Sequence, residues 1–230
     1  MTKKPLIATV GAGRMGRGLA HVFAYAGHQI HLIDAKKRDA SSLHDLEKSV
    51  FQDLSRTLGL MEQLGQISAQ DSVKMIERVS FHSLKSGENA LAKADFIFEA
   101  VPEIHDIKQA IFGLIGRHAP QNSIIASTTS TILVDELAQH VPRPNRFLNA
   151  HWLNPAFLIP LVELSVGSKT SSETTEKTTT FLESLGKIPV TLKASPGFVV
   201  PRIQALAMSE AARTLEEGVA SAEDIDKALR

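Results

Sequence analysis

Three glycines, Gly11, Gly13 and Gly16, fall between an apolar run from Leu6 to Val10 and an amphipathic stretch that begins near Arg14. A strand that turns sharply into a helix, with no Cβ at those three offsets, is the opening unit of a doubly wound α/β sheet. The first glycine permits the tight turn, the second lets backbone approach a pyrophosphate, and the third lets helix pack on strand. The helix start then offers unpaired N–H groups and a partial positive charge to phosphates. Met15, Leu19, Val22, Phe23 and Ala26 form one stripe of this helix, closed by Gly27. The run QIHLID at 29–34 reads as the second strand, with Asp34 at its end. A carboxylate about 20 residues past the glycines accepts both hydroxyls of an adenosine ribose and repels a 2′-phosphate. The residues therefore point to NAD over NADP, although Lys36, Lys37 and Arg38 follow in the next turn. A flavin dinucleotide shares the fingerprint, and nothing downstream supports one.

The rest of the chain keeps alternating. Helical spacing predicts helices over 41–65, 69–78, 104–118, 133–141 and 171–185, the last with Thr180, Phe181 and Leu185 inward. Strand-like runs lie at 79–81, 95–101, 123–127, 147–152, 161–166 and 188–192. Strands alternating with helices over this length predict a Rossmann-type, mostly parallel sheet. Ala194-Ser195-Pro196-Gly197 interrupts both periodicities and marks a boundary, giving a dinucleotide-binding domain at 1–193 and a second unit at 194–230. In that unit Phe198 to Glu217 reads as a long amphipathic helix stopped by Gly218, and Ser221 as the N-cap of another.

Charge and composition close off other classes. Lys+Arg and Asp+Glu both number 25, so there is no basic excess for nucleic acid or a membrane surface. The chain has no cysteine, which removes thiolate catalysis and zinc–thiolate sites, and its nine histidines show no metal-ligand spacing. No apolar run approaches the ~20 residues of a membrane span. Met1 to Pro5 passes straight into the first strand without the apolar stretch of a signal peptide, so a soluble cytoplasmic protein is expected.

Polar residues collect where such a sheet places its ligands, at the carboxyl ends of strands. ASTTST at 126–131 follows one strand, and AHWLNP at 150–155 ends another. Glu163 sits inside the apolar run Leu161 to Val166, where a carboxylate needs a partner, and His151 is the obvious one. The other eight histidines lack such spacing and read as ordinary surface or core residues.

These segments resemble the L-3-hydroxyacyl-CoA dehydrogenase family. The matching stretches are GAGRMG at 11–16, DFIFEAVPE at 95–103, ASTTS at 126–130, HWLNPAFLIPLVEL at 151–164, SPGFVVPR at 195–202 and EEGVASAEDID at 216–226. The resemblance runs in order through essentially the whole chain. It implies an NAD-dependent enzyme of fatty acid metabolism that interconverts a 3-hydroxyacyl-CoA and its 3-keto form. It makes His151 the catalytic base, Glu163 its orienting carboxylate, Ser127 the group that binds the substrate oxygen, and Asn154 a residue shaping the histidine loop. Cofactor contacts are then expected from Gly11, Gly13, Arg14, Met15, Gly16, Asp34, Ala100, Val101, Glu103, Lys108 and Thr128. No metal is implied. The chemistry agrees: oxidising a secondary alcohol needs a base titrating near working pH, and a glutamate on the other ring nitrogen stabilises the imidazolium that forms.

Four departures bear on the substrate. Thr128 stands where the family has asparagine in ASNTS, and Pro201 where it has asparagine in PGFxxNR. The stretch 41–65 carries only Lys48 and Arg56 as cations, although the family places lysines there for the phosphates of CoA. The family also continues beyond its EDID motif with most of a helical domain that this chain lacks. An enzyme acting on a CoA-free 3-hydroxy acid, or a non-catalytic NAD-binding module, are the competing expectations. A homodimer is expected, through the apolar stripe Val199, Ile203, Leu206 and Leu215.

Overall fold

A computed structural model describes residues 4–229; the expectations for Met1 to Lys3 and for Arg230 lie outside the described residues. Eight strands form one sheet in the order β3-β2-β1-β4-β5-β6-β7-β8. β1 (Ile7–Val10), β2 (Ile30–Ile33), β3 (Val79–His82), β4 (Phe96–Glu99), β5 (Ile124–Ser127) and β6 (Phe147–Trp152) run parallel. β7 (Leu161–Val166) pairs antiparallel with β6, and β8 (Ile188–Lys193) pairs parallel with β7 at the exposed edge. Strand order reverses between β1 and β4, which opens a crevice at their carboxyl ends.

The central strands are buried on both faces, which is why they read as continuous apolar runs rather than alternating ones. One face packs Leu19 and Phe23 of α1 (Arg14–Tyr25) and Leu54 and Leu58 of α2 (Ala40–Gln63) against Leu32 and Phe98. The other packs Ile111 and Phe112 of α5 (His105–His118) against Val10 and Ile97. Between these lie α3 (Ala69–Glu77) and α4 (Leu84–Leu91). α4 has no counterpart among the expected elements. It is capped by the Ser83 hydroxyl and presses Gly87, Ala90 and Leu91 inward, a face with a single large apolar side chain that leaves little apolar periodicity.

Three further expectations are corrected. The stretch 133–141 is one helical turn, α6 (Val134–Leu137), followed by a 3₁₀ turn at Ala138–His140. α7 (Ser172–Ser184) buries Thr174, Thr178, Phe181 and Leu182, while Thr180 faces solvent and Leu185 is half-buried. Two buried threonines suit this face because Thr174 Oγ1 donates to the Asn145 carbonyl and Thr178 Oγ1 to the Thr174 carbonyl. The long C-terminal helix α8 (Val200–Glu216) starts two residues later than expected, with Pro201 in its first turn where a missing N–H costs nothing. It buries no residue, and α9 (Ala222–Ala228) follows, capped by Ser221. Among the described residues no helix is long and apolar enough to cross a membrane.

Candidate active site

The crevice holds a cavity of about 910 Å³. Gly11 has φ +119°, and a Cβ there would collide with the Ala100 carbonyl, so β1 and β4 meet through bare backbone. At Gly16 a Cβ would meet the Gly11 carbonyl. Gly13 behaves differently: nothing lies within 4 Å of where its Cβ would be, and it faces the cavity. Gly13 is also the N-cap of α1 and offers no side chain to the first-turn N–H groups, which stay available to an anion. Asp34 lies buried at the end of β2, at the far side of the same cavity. A phosphate-sized gap before a helix start, with a carboxylate beyond it, fits the dinucleotide expected from the sequence.

Arg14, Met15, Ala100, Val101, Glu103 and Thr128 all line this cavity. Two further placements bear on the cofactor reading. Arg38, in the turn after β2, lines the cavity with Lys36, and its Nε donates to Asp34 Oδ2 at 2.6 Å. Lys108 does not line the cavity at all. It is 1% exposed, and its Nζ is committed to both Glu99 oxygens at 2.9 Å and to Glu103 Oε2 at 3.2 Å.

Glu99 explains a further difference. This carboxylate is wholly buried and is compensated by Lys108, by the Val101 N–H at 2.8 Å and by the Ser127 hydroxyl, which donates at 2.6 Å. Ser127 is therefore a fully buried member of this cluster, and its hydroxyl does not face the cavity. As the last residue of a strand buried on both faces, it follows the alternation inward, which was the available signal. The hydroxyl residues that do line the cavity are Thr128, Ser130 and Thr131; Ser130, three residues on, is exposed. Its turn is organised by Glu103, which accepts from the Thr129 and Thr131 hydroxyls and from the Ser130 and Thr131 N–H groups at 3.1 Å. Burial works to raise the Glu103 pKa, but the Thr129 hydroxyl and the Lys108 ammonium outweigh it and hold the carboxyl down at about 2.

His151 and Glu163 are direct register partners across β6 and β7. The ring is 5% and the carboxylate 1% exposed, and His151 Nδ1 lies 2.8 Å from Glu163 Oε2. With Nδ1–H donating to the carboxylate, Nε2 carries the free lone pair. The second oxygen of Glu163 accepts the Val199 N–H at 2.8 Å and the Val200 N–H at 2.9 Å, at the start of α8. Phe198, at φ +51°, lays its ring over the imidazole with centroids 4.8 Å apart. Asn154, exposed at the tip beyond β6, lines both the large cavity and a second one of about 490 Å³ between α1, α2 and the loop after β6. No sequence periodicity announced the Glu163 bonds to α8, because they join residues far apart in the chain.

A family model described as "3-hydroxyacyl-CoA dehydrogenase, NAD binding domain" matches residues 6–195, and its companion "C-terminal domain" matches 197–230. The 3-hydroxyadipyl-CoA dehydrogenase of Escherichia coli is 33% identical over 97% of this chain, which spans only 45% of that protein. The mitochondrial hydroxyacyl-coenzyme A dehydrogenase of Sus scrofa is 31% identical over 97% of the chain, which spans 70% of it. Among solved structures, the (S)-3-hydroxybutyryl-CoA dehydrogenase of Ralstonia eutropha superposes with a TM-score of 0.84 at 32% identity, covering 96% of this chain and 75% of that one.

Proposed function

This chain belongs to the 3-hydroxyacyl-CoA dehydrogenase family, and from that premise we propose that it interconverts an L-3-hydroxyacyl-CoA and its 3-ketoacyl-CoA, with His151 as the acid/base. The observation that carries this reading is the buried His151–Glu163 pair on β6 and β7, with the loop after β6 reaching the crevice through Asn154. Bound NAD supplies a two-electron acceptor for the hydrogen on the alcohol carbon. His151 Nε2 takes the hydroxyl proton, and Glu163 stabilises the imidazolium that results. In the reverse direction the same nitrogen returns the proton to the oxygen. Ser130 and Asn154 supply polar groups to the reacting oxygen from opposite sides, and Phe198 keeps water off the imidazole face.

The two cavities share Gly13, Arg14 and Asn154, so a thioester arm leaving the reacting carbon enters the smaller one beneath α2. We further propose that residues 1–193 and 194–230 belong to separate domains, in line with the separate family models that match 6–195 and 197–230. Two copies would then associate across α8, where Ile203, Leu206 and Met208 are 61–72% exposed. Sedimentation that shows a monomer at micromolar concentration would remove the dimer.

One observation favours a second reading, a CoA-free 3-hydroxy acid as substrate. α2 carries only Lys48 and Arg56 as cations, and Arg56 is tied to Asp53 at 3.0 Å. Each charge-assisted phosphate contact contributes about 1.5–3 kcal/mol, so a site short of two or three binds CoA weakly. Comparing kcat/KM for acetoacetyl-CoA and acetoacetate at low and high salt separates the readings. A CoA site prefers the thioester and loses part of that preference as salt screens the phosphates. Equal, salt-insensitive values support the free acid, and silence with both supports a non-catalytic NAD-binding module.

A further inference from the structure

His21 lies on α1 and is only 4% exposed, yet its Nε2 has no hydrogen-bond partner. Its ring packs against Phe157, with centroids 4.8 Å apart, and the two rings together line both the 490 Å³ cavity and a neighbouring one of about 550 Å³. They form the partition between the two spaces. Ala20, Val50, Leu54 and Ala156 give the first cavity most of its apolar wall, and Arg14, Thr57 and Asn154 also line it. The charged pair at its margin, Arg17 and Asp53, is self-neutralised, and Arg17 is also bound to the Ala12 carbonyl and the Ser49 hydroxyl.

A buried polar atom without a partner is uncommon in a settled core and is explained when a ligand supplies the partner. We propose that His21 is a specificity-determining residue, its Nε2 exchanging a hydrogen bond with an amide in the arm of a thioester substrate. The inference rests on the thioester reading above and deepens it. The chemistry selects the ligand class. Burial lowers the His21 pKa to about 4, so the ring is neutral at pH 7 and suits a neutral donor or acceptor rather than a phosphate or carboxylate. A largely apolar cavity with neutral polar groups at His21, Thr57 and Asn154 fits an extended chain with embedded amides, the chemistry of a pantetheine arm.

The test uses the full-length protein and two substrates, acetoacetyl-pantetheine, which carries amides, and S-ethyl acetothioacetate, which carries none. His21→Leu should raise KM for the pantetheine thioester and lower the ratio of kcat/KM between the two substrates by about tenfold, with the change in KM rather than kcat. His21→Gln, which keeps a hydrogen-bonding group in similar space, should recover most of the ratio. An unchanged ratio, or equal losses on both thioesters, overturns the assignment. If the protein reduces neither thioester, the substrate reading has failed, and calorimetry with pantetheine alone still decides the site. Binding that His21→Leu weakens and His21→Gln keeps supports it, and equal binding by all three, or no binding, contradicts it.

Discussion

One carboxylate, Glu163, holds the imidazole of His151 through Oε2 at 2.8 Å and the first N–H groups of α8 through Oε1. The imidazole proposed as the base and the helix that follows the boundary segment are thus positioned by the same side chain. Glu163→Gln removes the charge that steadies the imidazolium and weakens the hold on Val199 and Val200. We expect kcat to fall by roughly 10²-fold or more. Limited proteolysis between Ala194 and Val199 should quicken in the same variant. Slower turnover with unchanged proteolysis would leave the anchoring role without support.

The Glu99 cluster separates two serines that the sequence did not. Ser127→Ala removes a buried donor to Glu99 and should cost about 1–2 kcal/mol in stability. Ser130→Ala should leave the melting temperature in place and lower kcat/KM, because that hydroxyl faces the cavity. Lys108→Met strands a buried carboxylate and should cost about 3–5 kcal/mol. Denaturant titration and steady-state kinetics on the same preparations check all three. A larger kinetic loss at Ser127 than at Ser130 would restore the original expectation.

Asp34 lines the crevice at the end of β2 and is paired with Arg38, which bears on the choice between NADH and NADPH. NADH should bind more tightly than NADPH. Asp34→Ser should narrow the gap, since it removes the repulsion and frees the Arg38 guanidinium for a 2′-phosphate. Fluorescence titration measures both affinities, and equal values in the unsubstituted protein would contradict the ribose assignment.

Glu103 gives the fold an acid limit. Its folded pKa lies near 2 against an ordinary 4.5, so its stabilising contribution is present above pH 4.5 and is lost as pH falls towards 2. The melting-temperature difference between the unsubstituted protein and Glu103→Gln should be largest near pH 7 and should shrink through that window. A difference that grows on acidification would reverse the assigned sign.

How much of this was legible depended on whether a residue's role was local. β1, β4 and β5 are buried on both faces, so burial alone makes them apolar runs, and the glycines between β1 and α1 fix the crevice. Glu163 was legible because a carboxylate in an apolar strand demands a partner, and strand pairing puts His151 opposite. Residues whose roles are set across the fold were not. Lys108 sits on the first turns of a helix beside the crevice and reads as a cofactor contact, yet the unpaired charge of Glu99 draws it inward. His21 reads as an ordinary core histidine on an apolar stripe, and only the cavities on either side distinguish it. α4 stayed hidden because its inward face offers only one large apolar side chain, Leu91, beside Gly87 and Ala90.

The most direct measurement is the rate of acetoacetyl-CoA reduction by His151→Gln, set beside its affinity for NADH. The account expects kcat to fall by ~10²–10⁴ while NADH binds as before, because the ring serves proton transfer and does not line the cofactor cavity. Retention of most of the activity would contradict the assignment of His151 as the acid/base.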